Sequence, residues 1–352
     1  MDWFRKFNWR VTGCIAMWYT LNCIYVVQQK EFLNVLPLGV TFSACLMIMG
    51  ALSSLLYWAV GYRPLPRFKS WKRALTALVP LAICHLLVNY GAVISMGLGA
   101  VSFTQAVKAG EPVLTALLSI IFLREFLNLY AYLSLIPIVC GIALASVKEI
   151  DFKIWAFLFA MVSNLGSSSR SIIAKVTMKN KDEIGEHLSA PNIYLILTVI
   201  CGIISVPIVL CTEAYKWKSV WDEHTANLTG RDISILLLRG FIACVSYFVY
   251  NDFSFYCLGQ LNQVGHSVAN TLKRVFVITT SIIVFKNPVT PLGYVGMAMA
   301  VIGALFYSLS SKGFFNKKVT KADDKDLELG KEPDQATFGD PPVSQETSKT
   351  TS

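Results

Sequence analysis

Charge is scarce in this chain. Only 15% of its 352 residues are Asp, Glu, Lys or Arg, where an ordinary soluble domain has about 25%. Apolar residues make up 54%, and the mean hydropathy is +0.53. Those values exclude a single water-soluble globule. Acids are scarcer still in the apolar body: residues 1–311 hold 24 Lys and Arg against 14 Asp and Glu. A pI near 9.0 commonly marks a nucleic-acid binder. A basic face needs water, however, and here the basic residues are threaded through apolar stretches, so no nucleic acid is expected. The combination suits a polytopic membrane protein handling anions.

The spacings that carry chemistry are also missing. The nine cysteines, at 14, 23, 45, 84, 140, 201, 211, 244 and 257, form no CxxC and no Cys/His cluster. They read as small buried apolar residues, not as disulfides or metal ligands. There is no HExxH, no phosphate-cradling Gly loop and no carboxylate-rich motif, so neither an enzyme nor a cofactor is implied. A presequence is not evident either. Met1 to Arg10 runs straight into apolar sequence, and Trp9 to Gln28 is too long for a signal-peptide core and has no small-residue cleavage site after it.

What is present is a series of long apolar runs. A span needs about 20 mostly apolar residues, and ten fit: 9–28, 36–61, 73–97, 100–123, 127–147, 153–176, 191–213, 232–258, 262–285 and 289–311. Trp9, Trp58, Trp71 and Trp155 fall near span ends, as interfacial aromatics should. The remaining residues, 312–352, are polar and mixed in charge and are expected to be a disordered tail. The N-terminus and even-numbered loops hold Arg5, Lys6, Arg10, Arg63, Arg67, Lys69, Lys72, Arg73, Arg124, Lys179 and Lys181, and the other side holds Lys30, Lys148, Lys216, Lys218, Arg231 and Lys286. Both termini are therefore expected in the cytosol. Asn227-Leu-Thr229 is a glycosylation sequon on the opposite side.

The two halves resemble each other. Ser119-Ile-Ile, Tyr132 and Gly141 recur as Ser281-Ile-Ile, Tyr294 and Gly303, each offset by 162. With five spans per half, the second half must enter the membrane inverted, giving repeats at 1–147 and 148–311 about an in-plane pseudo-two-fold axis. The expected fold is an all-α polytopic membrane protein with a site near the midplane, between the halves.

Several charges lie where a bilayer penalises them. Lys108 falls in the fourth run, Arg170 in the sixth, Arg239 in the eighth, and Lys273 with Arg274 in the ninth. A cation at the bilayer centre costs roughly 2.5–3.5 kcal/mol, so these residues must face a wet cavity or a partner. Glu111, one turn after Lys108, and Asp252 are the comparably placed acids. Arg239 and Lys175 lie nearer span ends, where snorkelling to the interface accounts for them. Lys108, Arg170, Lys273 and Arg274 still outnumber the acids, and a dianion with several acceptor oxygens would resolve the imbalance. Ser163-Asn-Leu-Gly-Ser-Ser-Ser-Arg170 reads either as a polar lining or as small-residue helix packing. Tyr250, Asn89 and His85, the last one turn before Asn89, admit both a packing and a binding role.

At these residues the chain closely resembles the plastid phosphate translocators, a branch of the drug/metabolite transporter superfamily. The stretches that carry the resemblance are Val101-Ser-Phe-Thr-Gln-Ala-Val-Lys108-Ala-Gly-Glu111-Pro112, Ser163-Asn164 through Arg170-Ser-Ile172, Tyr250-Asn251 and Asn270-Thr-Leu-Lys273-Arg274-Val-Phe-Val-Ile278. The resemblance implies two inverted five-helix halves that exchange inorganic phosphate for phosphorylated three-carbon, or larger, metabolites. It also implies that Lys108, Lys273 and Arg274 hold the phosphate, with Arg170 and Tyr250 near the other end of the substrate. Triose-phosphate members place His where this chain has Asn89. Asn there, with His one turn earlier as in His85-Leu-Leu-Val-Asn89, looks more like the phosphoenolpyruvate translocators and suggests mixed specificity. A chain starting at Met1 without a transit peptide looks more like the outer-membrane translocators of apicomplexan plastids. The rival readings are a nucleotide-sugar transporter of the same superfamily and, in another class, a membrane enzyme acting on a lipid phosphate.

Overall fold

The computed structural model describes residues 9–124, 126, 128–147, 152–261, 263–286 and 289–311. The expected disordered tail, 312–352, lies outside them, as does the side chain of Lys175. Long apolar runs leave the backbone no water to bond, so each run closes its own hydrogen bonds as a helix. The helices are α1 (Trp9–Val35), α2 (Gly39–Ala59), α3 (Trp71–Leu98), α4 (Val101–Lys108), α5 (Glu111–Leu118), α6 (Leu129–Val147), α7 (Ile154–Lys179), α8 (Lys181–Ile184), α9 (Ala190–Thr212), α10 (Trp217–Thr225), α11 (Gly230–Gln260), α12 (Gln263–Phe285) and α13 (Pro291–Ser311). Among the described residues, nine helical stretches are long and apolar enough to cross a membrane. The chain is a multi-pass, mostly helical membrane protein. α7 is not among the nine, although its 26 residues span about 39 Å, because the Ser-rich run before Arg170 dilutes its apolar character.

Two expectations about the spans change. The first span does not stop at 28, and α1 continues to Val35, which draws Lys30 out of the loop where its charge had been counted. The Lys30 ammonium donates to the carbonyls of Met96, Gly97 and Gly99 at 2.9, 3.3 and 3.0 Å, neutralising the open end of α3. The fourth span is not one helix but α4 and α5, followed by a π-helical turn, Ser119–Leu123. The fold is all-α in class, as expected; one two-residue ladder, Arg67–Phe68 (β1) antiparallel with Gly185–Glu186 (β2), ties two loops together.

Helices pack pairwise, most extensively α6 with α13, α3 with α7, α1 with α11 and α2 with α9. Small residues set the distance, as expected where lipid supplies no hydrophobic drive between helices. A Cβ on Gly141 would stand 2.5 Å from the Ala300 nitrogen, and one on Gly166 would stand 2.8 Å from the Leu87 Cβ. Large apolar side chains such as Leu56, Phe122, Ile203 and Ile283 are exposed, at 60%, 71%, 69% and 68%, as a lipid-facing belt requires. Cys45, Cys140 and Cys211 are exposed as well, contrary to the expected burial of all nine. Trp71 and Trp155 are exposed at helix starts, whereas Trp58 turns inward and donates to Asn192 Oδ1 at 2.9 Å. Thr229 of the sequon caps α11, its hydroxyl accepting from the Asp232 amide at 3.3 Å.

Candidate functional site

The break between α4 and α5 builds the site. In an uninterrupted helix the Lys108 carbonyl would accept from the amide of residue 112, but that residue is Pro112 and has no N–H. The carbonyl is left open, and Arg274 of α12 donates to it through NH1. The same guanidinium reaches Glu111 Oε2 through NH2 at 2.6 Å. Glu111, the first residue of α5, lies at the positive end of that helix. Its other oxygen accepts from Ser167 of α7 at 2.5 Å. One proline thus determines where α12 docks and where the one acid of the cavity sits.

All seven residues singled out from the sequence line one cavity of about 130 Å³: His85 and Asn89 from α3, Lys108 from α4, Arg170 from α7, Tyr250 from α11, and Lys273 and Arg274 from α12. Lys108 donates from Nζ to Ser163 Oγ at 2.9 Å, and that hydroxyl passes a hydrogen bond on to the Val88 carbonyl at 2.8 Å. Arg170 donates from NH1 to His85 Nδ1 at 2.8 Å. The Lys273 ammonium lies over two rings, Trp18 at 5.2 Å and Tyr250 at 5.6 Å. The Asn89 Oδ1 atom is buried with no hydrogen-bond partner among the described residues.

Among the described residues the cavity thus holds four cations and one carboxylate. The contacts made by Lys108, Arg170 and Lys273 are a hydroxyl, an imidazole and aromatic faces, none of which cancels charge. An uncompensated group of this kind in low dielectric attracts an anion with several acceptor oxygens. The other intramembrane charges are elsewhere. Arg239 pairs with Glu31 at 2.6 Å, so a partner on α1 accounts for it, and Asp252 pairs with Arg63 at 2.7 Å.

Sequence reading missed the α1 wall. Trp18, Asn22 and Tyr25 are spaced four and three residues apart, one stripe of a helix. Asn22 and Tyr25 line the cavity, and Trp18 faces Lys273. Tyr247 was missed too, although it precedes Tyr250 by one turn. Its ring meets Tyr25 and Tyr250 at centroid distances of 5.1 and 5.5 Å. Gln105, Asn251 and Asn270 complete the polar lining.

The model of the Triose-phosphate Transporter family matches residues 9–308. Phosphoenolpyruvate/phosphate translocator 2, chloroplastic, of Arabidopsis thaliana is 35% identical over 86% of this chain and 77% of its own length. Glucose-6-phosphate/phosphate translocator 1, chloroplastic, of the same plant is 34% identical over 83% and 73%. The non-green plastid triose phosphate/phosphate translocator of Brassica oleracea var. botrytis is 32% identical over 83% and 71%.

Proposed function

The chain belongs to the triose-phosphate transporter family, and from that premise we propose that it is an antiporter exchanging inorganic phosphate for phosphorylated three-carbon metabolites. Triose phosphate, phosphoenolpyruvate and 3-phosphoglycerate are the proposed counter-substrates, in line with relatives named as phosphoenolpyruvate/phosphate and triose phosphate/phosphate translocators. The observation that carries this reading is the cavity's excess of four cations over one carboxylate. Lys108 and Arg274, at the α4/α5 break, take the phosphate together with Lys273, the neighbour of Arg274 on α12. Arg170, held by Ser163's own helix about 10 Å further along its axis, takes the other end together with Tyr250 and Asn89, while His85 lines that end.

The architecture we propose is ten spans in two inverted five-helix halves, residues 1–147 and 148–311, with α4 and α5 counted as one span and α7 as the sixth. Two observations support it. Exchanging the halves turns the α3–α7 pairing into the α11–α1 pairing and leaves α2–α9 and α6–α13 unchanged. At the α6–α13 seam, Gly141 packs on Ala300 and Gly303 on Ile138, and an offset of 162 converts one contact into the other. Both termini are proposed to face the cytosol, on loop charge, in a plastid membrane, as the relatives' names suggest.

Alternating access then follows from electrostatics. When the halves close on an empty cavity, Lys108, Arg170, Lys273 and Arg274 repel one another with little water to screen them. A phosphate dianion supplies the missing charge, so closure and reorientation are favoured only when substrate is bound. Strict exchange needs no proton or sodium site.

The test is uptake of labelled phosphate by proteoliposomes that are empty or loaded with phosphate, triose phosphate, phosphoenolpyruvate, 3-phosphoglycerate or hexose phosphate. Uptake is expected only with phosphate or a phosphorylated compound inside. Uptake into empty vesicles, or exchange driven by a nucleoside monophosphate in place of these compounds, would overturn the proposal, the latter in favour of a nucleotide-sugar carrier.

A further inference from the structure

Arg170 has a partner that charge alone does not explain. Ser167, one turn earlier on the same face of α7, donates to Glu111 Oε1 at 2.5 Å, so a carboxylate lies about one turn from Arg170. A guanidinium in low dielectric is best matched by a carboxylate. Glu111 nevertheless pairs with Arg274, and Arg170 donates to His85 Nδ1. Arginine has no acceptor, so His85 must present a lone pair at Nδ1, which makes the imidazole neutral with its proton on Nε2. The ring is 1% exposed. Tyr194, itself fully buried, packs edge-on against it with centroids 6.1 Å apart, so a second buried ring backs the imidazole.

We infer that His85 is a positioning residue that sets substrate choice through Arg170. A neutral acceptor fixes the plane of the guanidinium without cancelling its charge. The remaining N–H donors then present a fixed fork to the carboxylate or carbonyl end of a phosphorylated substrate. An acid at position 85 would neutralise Arg170, and an apolar residue would free it to swing onto Glu111. In both cases the end of the substrate away from the phosphate loses its anchor. Lys108, seven residues away by way of Ser163 and about 10 Å along α7, keeps its own contact. The inference rests on the antiport reading above.

The experiment compares exchange of external labelled phosphate for internal 3-phosphoglycerate, which has a carboxylate end, with exchange for internal inorganic phosphate, which has none. His85→Phe removes the acceptor and keeps a ring against Tyr194; His85→Leu serves the same purpose if the ring proves too large to fold. KM for 3-phosphoglycerate should rise about tenfold more than KM for phosphate, the size expected for losing a hydrogen bond to a charged group. His85→Asn, whose Oδ1 stands where Nδ1 stands, should recover most of that difference. In an Arg170→Leu background, His85→Phe should add no further discrimination. Equal losses for both substrates, no recovery by His85→Asn, or additive effects in the double variant would overturn the inference while leaving antiport intact. Failure of the wild type to exchange phosphate for phosphate would overturn the antiport reading itself, and this inference with it.

Discussion

Two regions of the molecule treat charge in opposite ways. Away from the cavity three ion pairs join opposite charges: Arg239 with Glu31 at 2.6 Å, Arg63 with Asp252 at 2.7 Å, and Arg73 with Glu183 at 3.8 Å. In the cavity, four cations share Glu111, and the other contacts are a serine hydroxyl, an imidazole, a backbone carbonyl and two aromatic rings. Opposite charges satisfy a buried ion and erase its field. Neutral acceptors satisfy its hydrogen bonds and leave the field in place. The first arrangement is complete without a ligand, whereas the second is complete only with an anion.

The sharpest way to break this contrast is to remove Lys273, whose ammonium rests on the faces of Trp18 and Tyr250. Losing a desolvated charge contact to phosphate should cost about a hundredfold or more in exchange. The variant Lys273→Ala should unfold no earlier than wild type, because an uncompensated cation has left the cavity. Near-wild-type exchange by purified Lys273→Ala protein would sink the assignment.

Glu111→Gln tests the opposite side of the balance by raising the positive excess from three to four charges. Breaking a buried pair leaves Arg274 uncompensated, an effect of about 3–5 kcal/mol. Thermal unfolding in detergent should shift downward and should recover with added phosphate by more than the wild type gains. Equal phosphate stabilisation of the two proteins would mean that Glu111 does not set the cavity's charge.

These effects were partly legible in the sequence, and the reason differs between residues. Lys108, Arg170, Lys273 and Arg274 stood out because a charge within an apolar run is costly wherever it points. That they share one cavity was not legible, since it depends on Pro112 opening the Lys108 carbonyl to Arg274, a contact between residues 166 positions apart. Trp18 and Tyr25 were invisible for the converse reason. An aromatic on an apolar helix is ordinary packing until a cation is found against it. Lys30 was misread as a loop charge because hydropathy ends a span at the first charge, while the α3 carbonyls it caps carry the helix past it.

A smaller effect is expected at Asn89, which is 3% exposed and whose Oδ1 has no partner among the described residues. Asn89→His adds a ring and a different donor and acceptor pattern to the cavity wall two residues from Gly91, which packs on the α7 backbone. Substrate ranking should move by about three- to tenfold between phosphoenolpyruvate and triose phosphate, the range for one gained or lost hydrogen bond. An unchanged ranking in competition assays would remove Asn89 from the site.

The smallest effect belongs to the periphery, and it decides whether the two regions really differ. Arg239 and Glu31 are 38% and 35% exposed at the side chain and lie toward span ends, from which long side chains snorkel to the interface, so their coupling should fall below about 1 kcal/mol. A double-mutant cycle with Arg239→Gln and Glu31→Gln, read by thermal unfolding, measures that coupling directly. Raising the salt concentration should shrink it further, because exposed ions are screened over about 10 Å at 0.1 M. Exchange by both single variants should stay within about twofold of wild type, since neither residue lines the cavity and a pair this exposed contributes little. A loss of exchange as large as that of Lys273→Ala would show that the pair takes part in transport. Charge imbalance alone would then no longer separate the residues that meet substrate from those that hold the helices together.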